Sequence, residues 1–169
     1  MKIKKFSEKP TDIKNRVYGI KDKNFPSFSV INNPGTISQC KTAPTCPGGS
    51  DLGWYVDLKN KQKLTAEPTV YKDRVYYPIY EPTSGTTGCN TGTALLTAYN
   101  SKCGNSVLNV NVGKGVLSKV VVQKDNLYMG LAGEAKENIA GFTSKDNLIT
   151  GKSKAKGGGS ITVEGWKEN

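Results

Sequence analysis

Glu67 to Pro82 reads EPTVYKDRVYYPIYEP, and Ser118 to Gly133 reads SKVVVQKDNLYMGLAG. Each stretch alternates apolar and polar residues about a Lys-Asp pair, the pattern of two β-strands joined by a tight turn. Lys72-Asp73 and Lys124-Asp125 stand 52 residues apart, and aligning Val70–Tyr77 with Val122–Met129 keeps both the turn and the apolar positions in register. After each hairpin comes a stretch in which a small residue precedes an aromatic, LLTAYNSK from Leu95 and NIAGFTSK from Asn138. The expected unit is a strand pair, a third strand, a polar turn and a fourth strand, repeated. Coincidence between two ordinary hairpins is the competing explanation, and agreement reaching into the third strand favours a true repeat.

Working outward, the same period of two predicts strands over 16–21, 54–58, 68–71, 74–80, 93–99, 106–112, 117–123, 126–131, 138–142 and 161–166. No segment sustains a helical pattern for three turns. RVYGIKD, from Arg16, resembles the third strand of a unit and GWYVDL, from Gly53, the fourth. Self-similarity at a period of about 40 to 50 residues with four strands per unit is the signature of a β-propeller blade. The expected fold is therefore all-β, a partial propeller of about two and a half four-stranded antiparallel blades. Propellers close with about four to eight blades, so upstream sequence, a second polypeptide or self-association is expected to complete this one.

The 169 residues suffice for one domain. Nineteen Gly, eight Pro and 36% hydrophobic residues describe a turn-rich chain with a thin core. Lys and Arg number 24 against 14 Asp and Glu, a net charge of +10. That excess suits anionic partners such as glycans or lipid head groups. Its crowding at the two ends, without interleaved aromatics, argues against nucleic acid. Residues 1–13 read as a basic extension and 14–169 as the propeller segment.

Cys40, Cys46, Cys89 and Cys103 allow three pairings, of which Cys40–Cys46 and Cys89–Cys103 each close a loop flanked by turn residues. Zinc is the alternative, though neither spacing suits it well. Disulfides imply an oxidising compartment. The opening MKIKKFSEKPTDIKNR has no apolar core of a signal peptide, and no stretch approaches the roughly 18 apolar residues of a membrane span. A disulfide-bearing chain without an export signal is expected to be part of something larger.

Catalytic chemistry is hard to assemble here. With no His there is no Ser-His or Cys-His nucleophile pair, and the commonest general acid and base near neutral pH is missing. Glu134 and Glu137, in GLAGEAKEN, read as solvated loop charges rather than a glycosidase pair. The KGGGS stretch lacks the phosphate-loop ending. A binding surface is the better expectation: Tyr76, Tyr77 and Tyr80, with Pro78 and Pro82, present aromatic area at a sheet edge, though alternation turns some of these rings inward.

Laid out in order, KNRVYGIKD, GWYVDL, EPTVYKDRVYYPIYEPTSG, CNTGTALLTAYNSKCG and the closing GWKEN resemble the C-terminal propeller of the PilY family, called PilC in some bacteria. These are large type IV pilus biogenesis factors and tip-associated adhesins. The family's N-R-x-Y-A-I-x-D strand falls on Asn15–Asp22, its G-W-x-x-D-L segment on Gly53–Leu58, and its T-x-x-P strand end with the following cysteine on Tyr80–Ser84 and Cys89. Its G-x-L-x-A turn falls on Gly92–Tyr99 and its W-R-E-like tail on Trp166–Glu168. The resemblance covers Lys14 to Glu168. It implies a non-enzymatic pilus component at the cell surface, docking with minor pilins, missing blades on another chain or a surface ligand such as an anionic glycan. The family's calcium loop is absent: no D-x-D-x-D run occurs. The outline also resembles quinoprotein dehydrogenases, but their adjacent cysteine pair is missing. Trp54 and Trp166, each after a Gly, are better explained as packing between blades. No catalytic, cofactor or metal residue is expected.

Overall fold

A computed structural model describes residues 15–20, 37–39, 53–59, 61–83 and 91–156, with 37–39 by backbone alone. The described residues form twelve strands and no helix. The basic extension and the strand expected over 161–166 lie outside them. The protein is all-β, and nearly all strand pairs are antiparallel.

The described strands form a three-stranded sheet and a nine-stranded one. The nine-stranded one has two parts joined where its strands cross, so that three layers, called here the first, second and third sheets, follow one another along the chain. In the first, β1 (Arg16–Ile20) pairs antiparallel and β2 (Ile37–Gln39) parallel with the central β3 (Gly53–Asp57). In the second, β4 (Lys63–Leu64) and β5 (Thr69–Tyr71) both lie along β6 (Arg74–Glu81), followed by β7 (Thr93–Asn100) and β8 (Ser106–Leu117). In the third, β9 (Val121–Gln123) pairs with β10 (Asn126–Ala135), which pairs in turn with β12 (Leu148–Lys152), and β11 (Phe142–Lys145) lies at the edge beyond β12. No closed sheet forms among the described residues.

Both hairpins of the repeat begin with a broken strand. Lys63 pairs with Tyr80 and Thr69 with Tyr76, so the seven residues 63–69 lie opposite the five residues 76–80 of β6. Leu117 pairs with Leu131 and Val121 with Tyr128, so the five residues 117–121 lie opposite the four residues 128–131. These bulges bend the first strand of each unit. The first one also accommodates Pro78 inside β6. In an antiparallel strand a residue's N–H and C=O point to the same side, and Pro78 accepts there from Thr65 N at 3.1 Å. Its missing N–H therefore faces the interrupted ladder, where a proline costs least.

The turns match the chemistry of their residues. Lys124 and Asp125, at φ 48° and 64°, form a two-residue hairpin of the I′ kind, as do Asp146 and Asn147 at 48° and 62°. At the first hairpin only Lys72, at φ 53°, is left-handed.

The third strand of the second unit is not where the small-aromatic match placed it. Arg74 pairs with Asn100 on β7, and 52 residues on, Asn126 pairs with Lys152 on β12. Ser101 N donates to Asp73 O at 2.8 Å, and Ser153 N to Asp125 O at 2.9 Å. The counterpart of TAYNSK is thus ITGKSK from Ile149, at the same 52-residue offset. Phe142 begins β11 instead of ending a strand over 138–142, and an isolated bridge joins it to Ile139.

The second sheet is covered on both faces. Val75, Tyr77, Ile79 and Tyr99 pack with Val17, Trp54 and Leu58 from the first sheet and the segment after it. Tyr76, Ala94, Leu96 and Ala98 pack with Leu127, Met129, Leu131 and Ile149 of the third. Burying each large side chain contributes about 1.5 to 3 kcal/mol, so these two interlayers hold the stack together. Strand β8 links the second and third sheets, pairing with β7 through its first part and with β10 from Gly113 to Leu117. The crossing needs glycine: Gly115 and Gly133 face each other at φ 126° and 152°, and a Cβ on either would run into the carbonyl of Ala132 or Lys114.

Candidate interaction surface

Tyrosines 76 and 77 are not at the surface. Both faces of β6 are covered, so Tyr76 is fully buried and Tyr77 is 3% exposed. Tyr76 OH donates to Ser153 O at 3.0 Å and lies 3.1 Å from Ser153 Oγ, and burial raises its pKa. Tyr77 packs edge-on to Tyr99 with ring centroids 5.7 Å apart, and its pKa is pushed up to about 12, first by burial and then by Tyr99. Tyr80 is partly exposed, with its hydroxyl oxygen accepting from Gly92 N at 3.0 Å. The expected aromatic edge is therefore reduced to Tyr80, because β6 is an interior strand.

Trp54 is fully buried. It packs on Tyr99 at 6.0 Å and donates from Nε1 to Ser101 O at 2.9 Å. It joins the first sheet to the second, as packing between layers requires. Trp166 lies outside the described residues.

Glu134 falls in β10, paired with Lys114, and not in a loop. Glu137 follows the strand end, and both are exposed. A groove of about 400 Å³ lies beside them, lined also by Thr93, Asn111, Lys114 and Lys136. A shallower apolar groove of about 540 Å³ runs between Val116, Leu131 and Leu148. Among the described residues, no three His, Cys, Asp or Glu side chains are grouped to hold a metal ion.

Cys103, in the turn between β7 and β8, is disulfide-bonded. Cys40, Cys46 and Cys89 lie outside the described residues.

The described surface is most distinctive at the end carrying the two Lys-Asp tips. The Asp125 carboxylate accepts from Lys72 Nζ and from Tyr71 OH, both at 2.7 Å. These partners hold its carboxyl below the usual carboxylate range, Lys72 first, and the hydrogen bond to Asp125 in turn raises the pKa of the Lys72 ammonium. Lys72 also sits 5.2 Å above the Tyr71 ring. Arg74 crosses from the second sheet to the third, donating from its two terminal nitrogens to Ser153 O at 3.0 Å and Lys154 O at 2.7 Å. Its Nε stands 3.8 Å from Asp73, whose carboxylate accepts from Lys156 N at 3.2 Å. The closing of Ser101 on Asp73 and of Ser153 on Asp125 carries Lys102 and Lys154 to the same end. The exposed ammonium groups of Lys102, Lys124, Lys152, Lys154 and Lys156 make none of the ion pairs among the described residues.

No family model, curated protein or solved structure matches the chain. Sequence reasoning missed this basic end because its lysines are scattered along the chain, and only the 28-residue closing of Asp73 on Ser101 and of Asp125 on Ser153 gathers them. The signal was present in the paired SK dipeptides, Ser101-Lys102 and Ser153-Lys154, at the repeat spacing.

Proposed function

We propose that this chain is a run of β-propeller blades from a PilY-like, type IV pilus-associated adhesin or assembly factor, a non-enzymatic binding segment that works at the cell surface. One observation carries the architectural part. Residues of one unit touch residues about 52 positions later in the next: Thr65 Oγ1 donates to Leu117 O at 2.9 Å, Thr69 Oγ1 to Val120 O at 2.6 Å, and Lys119 Nζ to Glu67 at 2.7 Å. Units related by a constant sequence shift, stacked face to face, are what successive blades require. The ordered motifs from Asn15 to Trp166 supply the link to the pilus family.

In this reading minor pilins, or a polypeptide bearing the remaining blades, are the partners. Affinity capture from a shed surface fraction, with the chain as bait, tests it. Recovery of minor pilins or a blade-bearing chain supports the proposal, and recovery of bait alone overturns the pilus assignment. A free-standing extracellular glycan- or protein-binding module is the second reading, favoured by the exposed basic end.

A further inference from the structure

We propose that the Lys-Asp end of the stacked sheets binds a sulfated or carboxylated polysaccharide, with the ammonium groups of Lys102, Lys124 and Lys154 along the row of turns as its principal contacts. The inference rests on the reading of the chain as a binding module and names the ligand class of that surface.

Three features of this end point to a polyanion. First, its carboxylates are already engaged: Asp125 holds Lys72 and Tyr71, and Asp73 faces Arg74 and accepts from Lys156 N. The exposed lysines are therefore left to an external anion. Second, their spacing is fixed by the sheets. Lys124 and Lys154 sit at φ 48° in turns pinned to Asp125 and Arg74, while the Ser101 turn carries Lys102 beside Asp73. Neighbouring strands lie about 4.8 Å apart and stacked sheets about 10 Å apart, so the row offers positive charge at repeated intervals. Such a row matches a polymer with regularly spaced anions better than a single small ion.

Third, the ring described beside the Lys-Asp tips, Tyr71, is already engaged. Tyr71 is covered by Lys72 and its hydroxyl is committed to Asp125. Single-stranded nucleic acid is recognised through bases stacked on aromatic rings as well as through charge, and neutral sugars through apolar ring faces. Exposed ammonium groups alone select for charge on the ligand, which sulfate and carboxylate groups supply.

Heparin is the probe, titrated against the full chain at physiological salt with single-stranded oligothymidine beside it. The triple substitution K102Q/K124Q/K154Q is compared with K63Q/K114Q/K136Q, which removes the same charge elsewhere. The first triple is expected to weaken heparin binding by about tenfold or more and to flatten its dependence on salt, because fewer counterions are released. The second is expected to leave affinity within about twofold. Equal losses in the two triples, or oligothymidine binding as tightly as heparin, overturn the proposal. A chain that captures a pilin but not heparin overturns the glycan inference and leaves the binding-module reading standing. Failure of both captures overturns both.

Discussion

The carbonyl oxygens of Ser101 and Ser153 occupy equivalent places in two successive sheets, and each accepts a hydrogen bond from an aromatic side chain of the sheet before it. Trp54 Nε1 reaches Ser101 O at 2.9 Å, and Tyr76 OH reaches Ser153 O at 3.0 Å. In each case the serine's own N–H closes on the aspartate of the Lys-Asp turn. One small joint thus does two things: it ends the third strand of a unit on its hairpin, and it fastens that unit to its predecessor.

Breaking the joint is expected to loosen the stack more than removing a surface contact would. Tyr76→Phe keeps the ring and deletes the donor, leaving Ser153 with one partner fewer in a buried setting. The expected loss is about 1 to 3 kcal/mol. Urea unfolding checks it: the midpoint should fall while the slope stays that of the parent protein. An unchanged midpoint would show that the hydroxyl contributes nothing to the joint. Trp54→Ala, which empties a fully buried site, is expected to cost more, about 3 to 5 kcal/mol.

The strand crossing makes a prediction with its own control. Gly133→Ala forces a side chain onto φ 152° and against Lys114 O, and Gly115→Ala does the same at φ 126° against Ala132 O. Both are expected to cost well over about 1 kcal/mol, because strain and backbone collision add together. Gly130, in the same strand as Gly133, has only the Ser118 side chain near its missing Cβ, at 3.6 Å. Gly130→Ala should change stability by less than about 0.5 kcal/mol. Thermal melts of the three variants decide the matter: equal behaviour would remove the special role given to the crossing.

Much of this fold was legible, and the failures have physical causes. Alternation marked β1, β3, β5, β6 and β7 to within a residue or so because each has polar punctuation at its ends. The length of β8 was hidden because Gly113 and Gly115 read as turn residues, whereas here they let two backbones cross. Strand β12 was missed because Leu148–Lys152 is short and contains Gly and Lys, while the Ala-Gly-Phe before it mimicked the Thr-Ala-Tyr of β7. The tyrosine surface failed for a different reason: RVYYPIYE is buried over five consecutive residues, a run that signals a strand covered on both faces rather than an edge. The basic end depends on long-range closure, which no local pattern carries.

Alkaline pH should unfold the protein partly through Tyr77. Its folded-state pKa is raised to about 12 from an ordinary value of 10.0. A raised pKa means the folded state holds its proton more tightly, so the contribution is fully present below pH 10 and is lost as pH rises from there towards 12. Tyr77→Phe cannot ionise, and its stability should fall less steeply across that window. The measurement is the urea midpoint at a series of alkaline pH values. Parallel curves for parent and variant would show that Tyr77 is not the group responsible.

Acid acts on the tips instead. Asp125 has its pKa lowered from 3.8 chiefly by Lys72, and Glu67 from 4.5 by Lys119. A depressed carboxylate stabilises the fold above its unfolded pKa, and that contribution is lost as pH falls through the folded value. Both pairs bridge successive units, so acid should weaken the contact between units before it disturbs the strands within them. Asp125→Asn is expected to remove part of the acid sensitivity, and adding salt near neutral pH should imitate the loss by screening these exposed charges. The pairs span the face between the second and third sheets, so hydrogen exchange provides the readout. Amides of β9 and of the Thr65–Pro68 bulge should lose protection at a higher pH than those of β7, which pairs on both sides. Uniform loss of protection across all three would mean that the units open together, and that the tip pairs do not set their acid sensitivity.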